Sequence, residues 1–244
     1  MSETILSVNG LTKYFGGLRA VDLNLEVEQG ELRCLIGPNG AGKSTFFKIL
    51  TGGLKPNAGS VRFRGQEITH LDTFRIARLG ISIKFQVPSI FEQLSVLQHL
   101  HLAAENRFGF ADGLERARRM LDLIGFSGCA HELAASLSHG QKQRLEIAMA
   151  TIGEPVLVLL DEPTAGMSPE EVSRTVDLVE DLTKRSTLIV VEHNMDFVRR
   201  IARWVTVMHE GQVFAEGTMS EIEANTGVRD IYLRRRALSN AESE

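Results

Sequence analysis

Nine residues, Gly37-Pro38-Asn39-Gly40-Ala41-Gly42-Lys43-Ser44-Thr45, constrain the fold of this 244-residue chain more than any others. Glycines at this spacing let backbone N–H groups converge on phosphate oxygens, and a following helix adds the positive end of its dipole. Such a loop needs a strand before it and a helix after it. Leu32 to Ile36 is an apolar run of strand length, and Lys43 to Leu50 reads as a helix stopped by Gly52-Gly53. In this setting Lys43 is expected to contact the β- and γ-phosphates of ATP, and Ser44 to ligate Mg²⁺.

The flanking sequence alternates between two textures. Val21, Leu23, Leu25 and Val27 recur at period two, as in a half-buried strand. With Ile5 to Val8 and Val61 to Phe63 they predict a largely antiparallel sheet beside the first parallel strand. From Ser95 to Met149 the pattern turns helical, with Leu114, Ala117, Leu121 and Ile124 on one face and Gly125 as a stop. Strand–helix units follow. Val156 to Leu160 is a short buried strand, and Ser168-Pro169-Glu170-Glu171 offers a serine cap, a first-turn proline and a glutamate at the third position. That helix carries Val172, Val176, Val179 and Leu182 on one side. Thr187 to Val191 is the next strand, Asn194 caps another helix, and Trp204 to Met208 is a further strand. Repeated units of this kind build a parallel sheet.

The strand ending in Leu159-Leu160-Asp161-Glu162 delivers two carboxylates. Asp161 suits Mg²⁺, through water, and Glu162 is the candidate general base that polarises an attacking water. His193 follows the next strand; a neutral imidazole there can donate to a γ-phosphate and orient the water or Glu162. His70, His99, His101, His131 and His209 lack such a context and are read as structural.

Composition excludes several classes. A net charge of -4 and a pI near 6.0 leave no broad basic surface for nucleic acid. Two cysteines, Cys34 and Cys129, give no disulfide framework and suit a reducing compartment. No run approaches the ~18 apolar residues of a membrane-spanning helix. The early Glu3 and the absence of a basic-then-apolar start argue against a signal peptide.

With these residues assembled, the chain resembles the nucleotide-binding subunits of ABC transporters from about Ile5 to Leu233. Gly37 to Thr45 matches their first phosphate motif, Gln86 their glutamine loop, and Ser138-His139-Gly140-Gln141 their signature. Asp161-Glu162 matches the second acidic motif, Ala165 to Ser168 the loop after it, and His193 the switch histidine. The resemblance implies an α/β P-loop NTPase with a RecA-like parallel sheet core, an antiparallel β subdomain and an inserted α-helical subdomain. The expected layout is one ABC ATPase domain over 1–244. Its core takes 1–86 and 152–233, its helical subdomain 87–151, and its polar tail 234–244. The resemblance also implies that Phe15 (or Tyr14) stacks on adenine and that Gln86 reaches Mg²⁺ or the water. Ser138, Gly140 and Gln141 would open a helix that meets the ATP of a second ATPase subunit, identical or related, so that two ATPs are sandwiched between the pair.

Two positions depart from the common pattern. His139 stands where glycine is usual, with a cost of ~1–2 kcal/mol if a positive φ were needed there. Ser168 stands where aspartate is usual. Together with Lys84-Phe85-Gln86 and Val191-Glu192-His193-Asn194-Met195, these departures look like the branch importing branched-chain amino acids, urea or short amides. Membership would imply two membrane permease subunits, an indirect periplasmic solute-binding protein, and a peripheral place on the cytoplasmic face of the bacterial inner membrane. A soluble ABC ATPase of translation or DNA repair is a weaker reading, since neither a second ATPase unit nor a long coiled-coil insertion is present. A P-loop kinase has no use for Leu137 to Gln141 or His193. The run Arg234-Arg235-Arg236 reads as a solvated tail in preference to a lipid anchor.

Overall fold

A computed structural model describes residues 3–85 and 90–232. In chain order come β1 (Thr4–Phe15), β2 (Leu18–Glu28), β3 (Leu32–Ile36), α1 (Lys43–Leu50), β4 (Ala58–Phe63) and β5 (Gln66–Glu67). Then follow α2 (Thr73–Arg78), β6 (Ile81–Lys84), α3 (Val96–Phe108), α4 (Phe110–Leu123), α5 (His139–Thr151) and β7 (Leu157–Asp161). Last are α6 (Pro169–Leu182), β8 (Thr187–Val191), α7 (Met195–Ile201), β9 (Trp204–His209), β10 (Gln212–Gly217) and α8 (Met219–Ala224). The chain forms two compact units, one running up to Ile76 and resuming at Ala202, the other spanning Ala77–Ile201.

In the first unit, β2, β1, β4 and β5 lie side by side in an antiparallel sheet. The alternation of β2 is that of a strand with one wet face: Val21, Leu23, Leu25 and Val27 are buried while Asn24, Glu26 and Glu28 are exposed. β1 is longer than the expected Ile5 to Val8, because its pairing with β2 continues to Phe15 opposite Leu18. The same unit pairs β3 with β9 in parallel, Ile36 beside Val207, and β9 with β10 in an antiparallel hairpin. All five residues of β3 are buried, Cys34 among them, so this strand shows no alternation.

The second unit holds the parallel ladder β6–β7–β8, with Lys84 beside Leu160 and Asp161 beside Val191. β7 and β8 are buried throughout. The expected strand at Val156 to Leu160 is shifted by one residue: Val156 lies before β7, and Asp161 is its last member. Around the ladder the helix starts follow local rules. Ser95, Ser138 and Ser168 each accept from the backbone N–H three residues on, and Gln98, Gln141 and Glu171 answer with a reciprocal side-chain bond. Val172, Val176, Val179 and Leu182 form the buried side of α6, as their spacing requires.

Candidate functional site

The glycine loop grows out of the β3–β9 pairing. Ile36 lies beside Val207, so Gly37 arrives against Met208, and a Cβ at Gly37 would sit 2.2 Å from the Met208 carbonyl oxygen. At Gly42, φ is +102° and a Cβ would sit 2.4 Å from the Ala20 carbonyl oxygen. These two glycines let the loop lie flat on its own unit. Gly40, at φ +83°, has open space where a side chain would go. The Lys43 side chain is buried, and its Nζ donates to the carbonyls of Gly37 at 2.7 Å and Pro38 at 2.9 Å. That folds the ammonium back over the loop. Gly42 caps α1 without a side-chain bond, and no acidic residue occupies the first turn. An uncapped, acid-free helix start behind a glycine loop is suited to phosphate. Ser44 is exposed and Thr45 partly so at this helix start, and Asn39 and Gly40 are exposed in the loop. Phe15 ends β1 with half of its surface exposed, its ring 5.6 Å from the Lys13 ammonium, and Tyr14 beside it is also exposed.

In the second unit the strand ends gather acidic groups. Asp161 is buried at the end of β7. Glu162 then takes the left-handed conformation, φ +47°, and its N–H donates to the Val191 carbonyl at 2.9 Å. His193, just beyond β8, is exposed and brings Nδ1 to 3.6 Å from a Glu162 carboxylate oxygen. The expected base and the expected switch histidine thus meet.

Two groups that sequence reasoning passed over organise this cluster. Glu192, almost wholly buried, accepts from the Thr164 N–H at 2.9 Å and hydroxyl at 2.5 Å, and from the N–H groups of His193 at 2.9 Å and Asn194 at 3.1 Å. It ties the turn after Glu162 to the turn bearing His193. A lone acid directly after an apolar strand was the only available sign. Lys84, at the end of β6, is 2% exposed and donates to the Asp161 carbonyl at 3.3 Å. Burial pulls its ammonium below the ordinary lysine range, and the carboxylates of Glu146, Asp161, Glu192 and Glu162 oppose that pull. A charge closing the short strand Ile81-Ser82-Ile83-Lys84 could have flagged it.

The signature residues open α5. Ser138 is its cap, Gln141 closes the box, and Gly140 is packed so tightly that a Cβ would fall 2.3 Å from the Glu171 carboxyl carbon. Position 139 needs no positive φ. His139 is the first residue of α5, and its Nε2–H donates to the Ala165 carbonyl at 2.9 Å. Gly166, φ +71°, passes 3.1 Å from that ring nitrogen measured from where its Cβ would be. Ser168 caps α6 where aspartate was the more usual residue. Of the histidines read as structural, His99 is buried, accepting from the Phe91 N–H and donating to the Ser95 carbonyl. Gln86 lies outside the described residues, as do Leu233 and the arginine run.

A family profile for ABC transporters matches residues 20–165. The chain belongs to the ABC transporter family. Among ABC relatives, the "High-affinity branched-chain amino acid transport ATP-binding protein LivG" of Escherichia coli (strain K12) is 36% identical over 252 residues, covering 96% of this chain and 99% of LivG. Among solved ABC structures, the ADP conformation of MJ1267, an ATP-binding cassette of an ABC transporter, superposes with a TM-score of 0.85 at 30% identity, covering 95% of this chain and 99% of that one. The dimeric post-hydrolysis state of the cassette MJ0796, bound to ADP and Pi, superposes with a TM-score of 0.79 at 25% identity, covering 88% and 99%. The chain is therefore an ABC ATPase with the α/β architecture that its glycine loop required, an ATP-binding subunit that hydrolyses ATP. No helix among the described residues is long and apolar enough to cross a membrane.

Proposed function

We propose that this ABC ATPase powers uptake of branched-chain amino acids or related small polar solutes, working at the cytoplasmic face of the bacterial inner membrane. The names of its LivG relatives support the substrate class. The observation that carries the catalytic reading is the 3.6 Å approach of His193 Nδ1 to the Glu162 carboxylate, with Glu162 turned out of its strand by a positive φ.

In this reading Gly37 to Thr45 hold the phosphates of ATP through backbone N–H groups, and Lys43 exchanges its loop carbonyls for β- and γ-phosphate oxygens. Ser44, and Asp161 through water, would hold Mg²⁺, which would neutralise charge on the β- and γ-phosphates, and Gln86 would reach that ion or the water. The hard oxygen donors of Ser44 and Asp161 fit that ion. Glu162 accepts the proton of the attacking water, and His193 donates to the γ-phosphate while fixing the Glu162 carboxylate. Phe15 presents an exposed ring for adenine. Ser138, Gly140 and Gln141 open α5 toward the ATP of a second subunit, and the post-hydrolysis dimer of MJ0796 supports that pairing. Two permease subunits couple the pair to the solute path, and a periplasmic binding protein supplies solute from the other side.

Uptake of labelled leucine, urea and acetamide, compared between wild-type cells and a Lys43→Ala strain, tests the assignment. Selective loss of leucine uptake is the expected result. Selective loss of urea or acetamide uptake would move the substrate to the amide branch, and unchanged uptake of all three would remove this substrate class.

A further inference from the structure

The peptide joining Asp161 to Glu162 is pinned from both sides within the second unit. Its carbonyl accepts from Lys84 Nζ at 3.3 Å, and its N–H donates to the Val191 carbonyl at 2.9 Å. One bond comes from β6, the strand beside β7, and the other from β8 on the opposite side. The orientation of this peptide plane sets where the Glu162 side chain points, because Glu162 φ rotates about its next bond. That φ is +47°, a conformation L-residues hold only when their surroundings impose it.

Nothing in packing alone calls for a buried ammonium at the end of the edge strand β6. A buried lysine pays a desolvation penalty that a leucine at the same place would not. The charged groups facing Lys84 are Glu146 of α5, Asp161 of β7, Glu192 beyond β8 and Glu162 itself. Glu146 acts most on the Lys84 charge, Glu192 is held by Thr164, His193 and Asn194, and the hydrogen bond of the ammonium runs to the Asp161 carbonyl.

We propose that Lys84 is a positioning residue for hydrolysis, holding the Asp161–Glu162 peptide so that the Glu162 carboxylate faces the water. This rests on the reading of Glu162 as the base. In this role Lys84 acts through the backbone of Asp161, whose carbonyl it holds.

The test is steady-state ATPase activity of the assembled transporter carrying Lys84→Met, with hydrogen exchange followed at the Glu162 amide. Loss of the pin lowers kcat by ~10–100-fold, the scale of a small misplacement of a reacting group. KM for ATP changes little, because the phosphate loop is untouched. Exchange at the Glu162 amide quickens. Lys84→Gln, which keeps an N–H donor without the charge, gives an intermediate kcat, and the same two readings on it decide the matter if Lys84→Met does not assemble. A normal kcat with only a lowered melting temperature would overturn the inference and leave Lys84 a structural residue. Glu162→Gln runs alongside. If that variant keeps wild-type turnover, the base reading falls and this inference with it; if it is inactive while Lys84→Met is not, only this inference falls.

Discussion

The Ser138 hydroxyl donates to a Glu171 carboxylate oxygen at 3.0 Å, joining two helix starts that lie 33 residues apart in sequence. The other carboxylate oxygen of Glu171 accepts from the Ser168 N–H at 3.0 Å. One side chain therefore serves the N-termini of both α5 and α6. The Glu171 carboxyl is held below its ordinary value of 4.5, first by the Ser168 N–H; burial opposes this, and the Ser138 and Ser168 hydroxyls and the Arg144 guanidinium add to the lowering.

A depressed carboxylate contributes stability that is present above its unfolded pKa and lost as pH falls through the lower folded value. The wild-type protein should therefore lose this contribution below about pH 4.5. Urea unfolding of Glu171→Gln between pH 3 and pH 7 should show a flatter acid limb than wild type. Ser168→Ala, which removes the cap itself, should cost about 1 kcal/mol near pH 7.

The glycines of the phosphate loop should differ sharply in their tolerance of a methyl group. Gly40→Ala meets open space and bears only the strain of positive φ, roughly 1 kcal/mol. Gly37→Ala and Gly42→Ala drive a Cβ into the carbonyls of Met208 and Ala20, and should each cost about 2–3 kcal/mol or more through backbone displacement. Melting curves without nucleotide would rank the three, and equal losses would contradict the geometry.

Glu162 invites the opposite experiment. Glu162→Gly relieves a left-handed conformation and should gain up to about 1 kcal/mol in stability while abolishing turnover. Glu162→Gln keeps the strain and the shape, so it should bind ATP without hydrolysing it and accumulate the ATP-bound pair. Denaturation and single-turnover assays on both variants separate the two effects. A Glu162→Gly protein less stable than wild type would show that its surroundings favour the carboxylate more than the strain opposes it.

Glu192 is the least replaceable acid of the cluster. Glu192→Ala strands donors from Thr164, His193 and Asn194 in a buried site and should cost about 3 kcal/mol. Glu192→Gln turns one acceptor into a donor facing N–H groups and should lose roughly 1–2 kcal/mol. Both should also loosen His193, lowering kcat more than ATP affinity. Thermal melts with ATPase kinetics would check this.

What could be read in advance was whatever the chain settles within a few residues. The bounds of α1 follow from the loop and from Gly52-Gly53, and Ser168-Pro169-Glu171 spells the start of α6. Burial of Val172, Val176, Val179 and Leu182 follows from their spacing. The missed residues act across distance. Lys84 meets Asp161 only because β6 pairs with β7, and Glu192 matters because Thr164, 28 residues away, returns to it. Alternation cannot report such meetings. The doubt over His139 also needed backbone angles, since a letter in a motif does not tell whether its position is left-handed or helical.

The reciprocal caps at Ser138 and Ser168 have a consequence for synthesis. Each is complete within four residues, so a ribosome has delivered every atom of the α6 cap before any residue of β8 is made. Helix phase can thus be set while the chain is still growing, and the later strands arrive at faces whose orientation is already chosen.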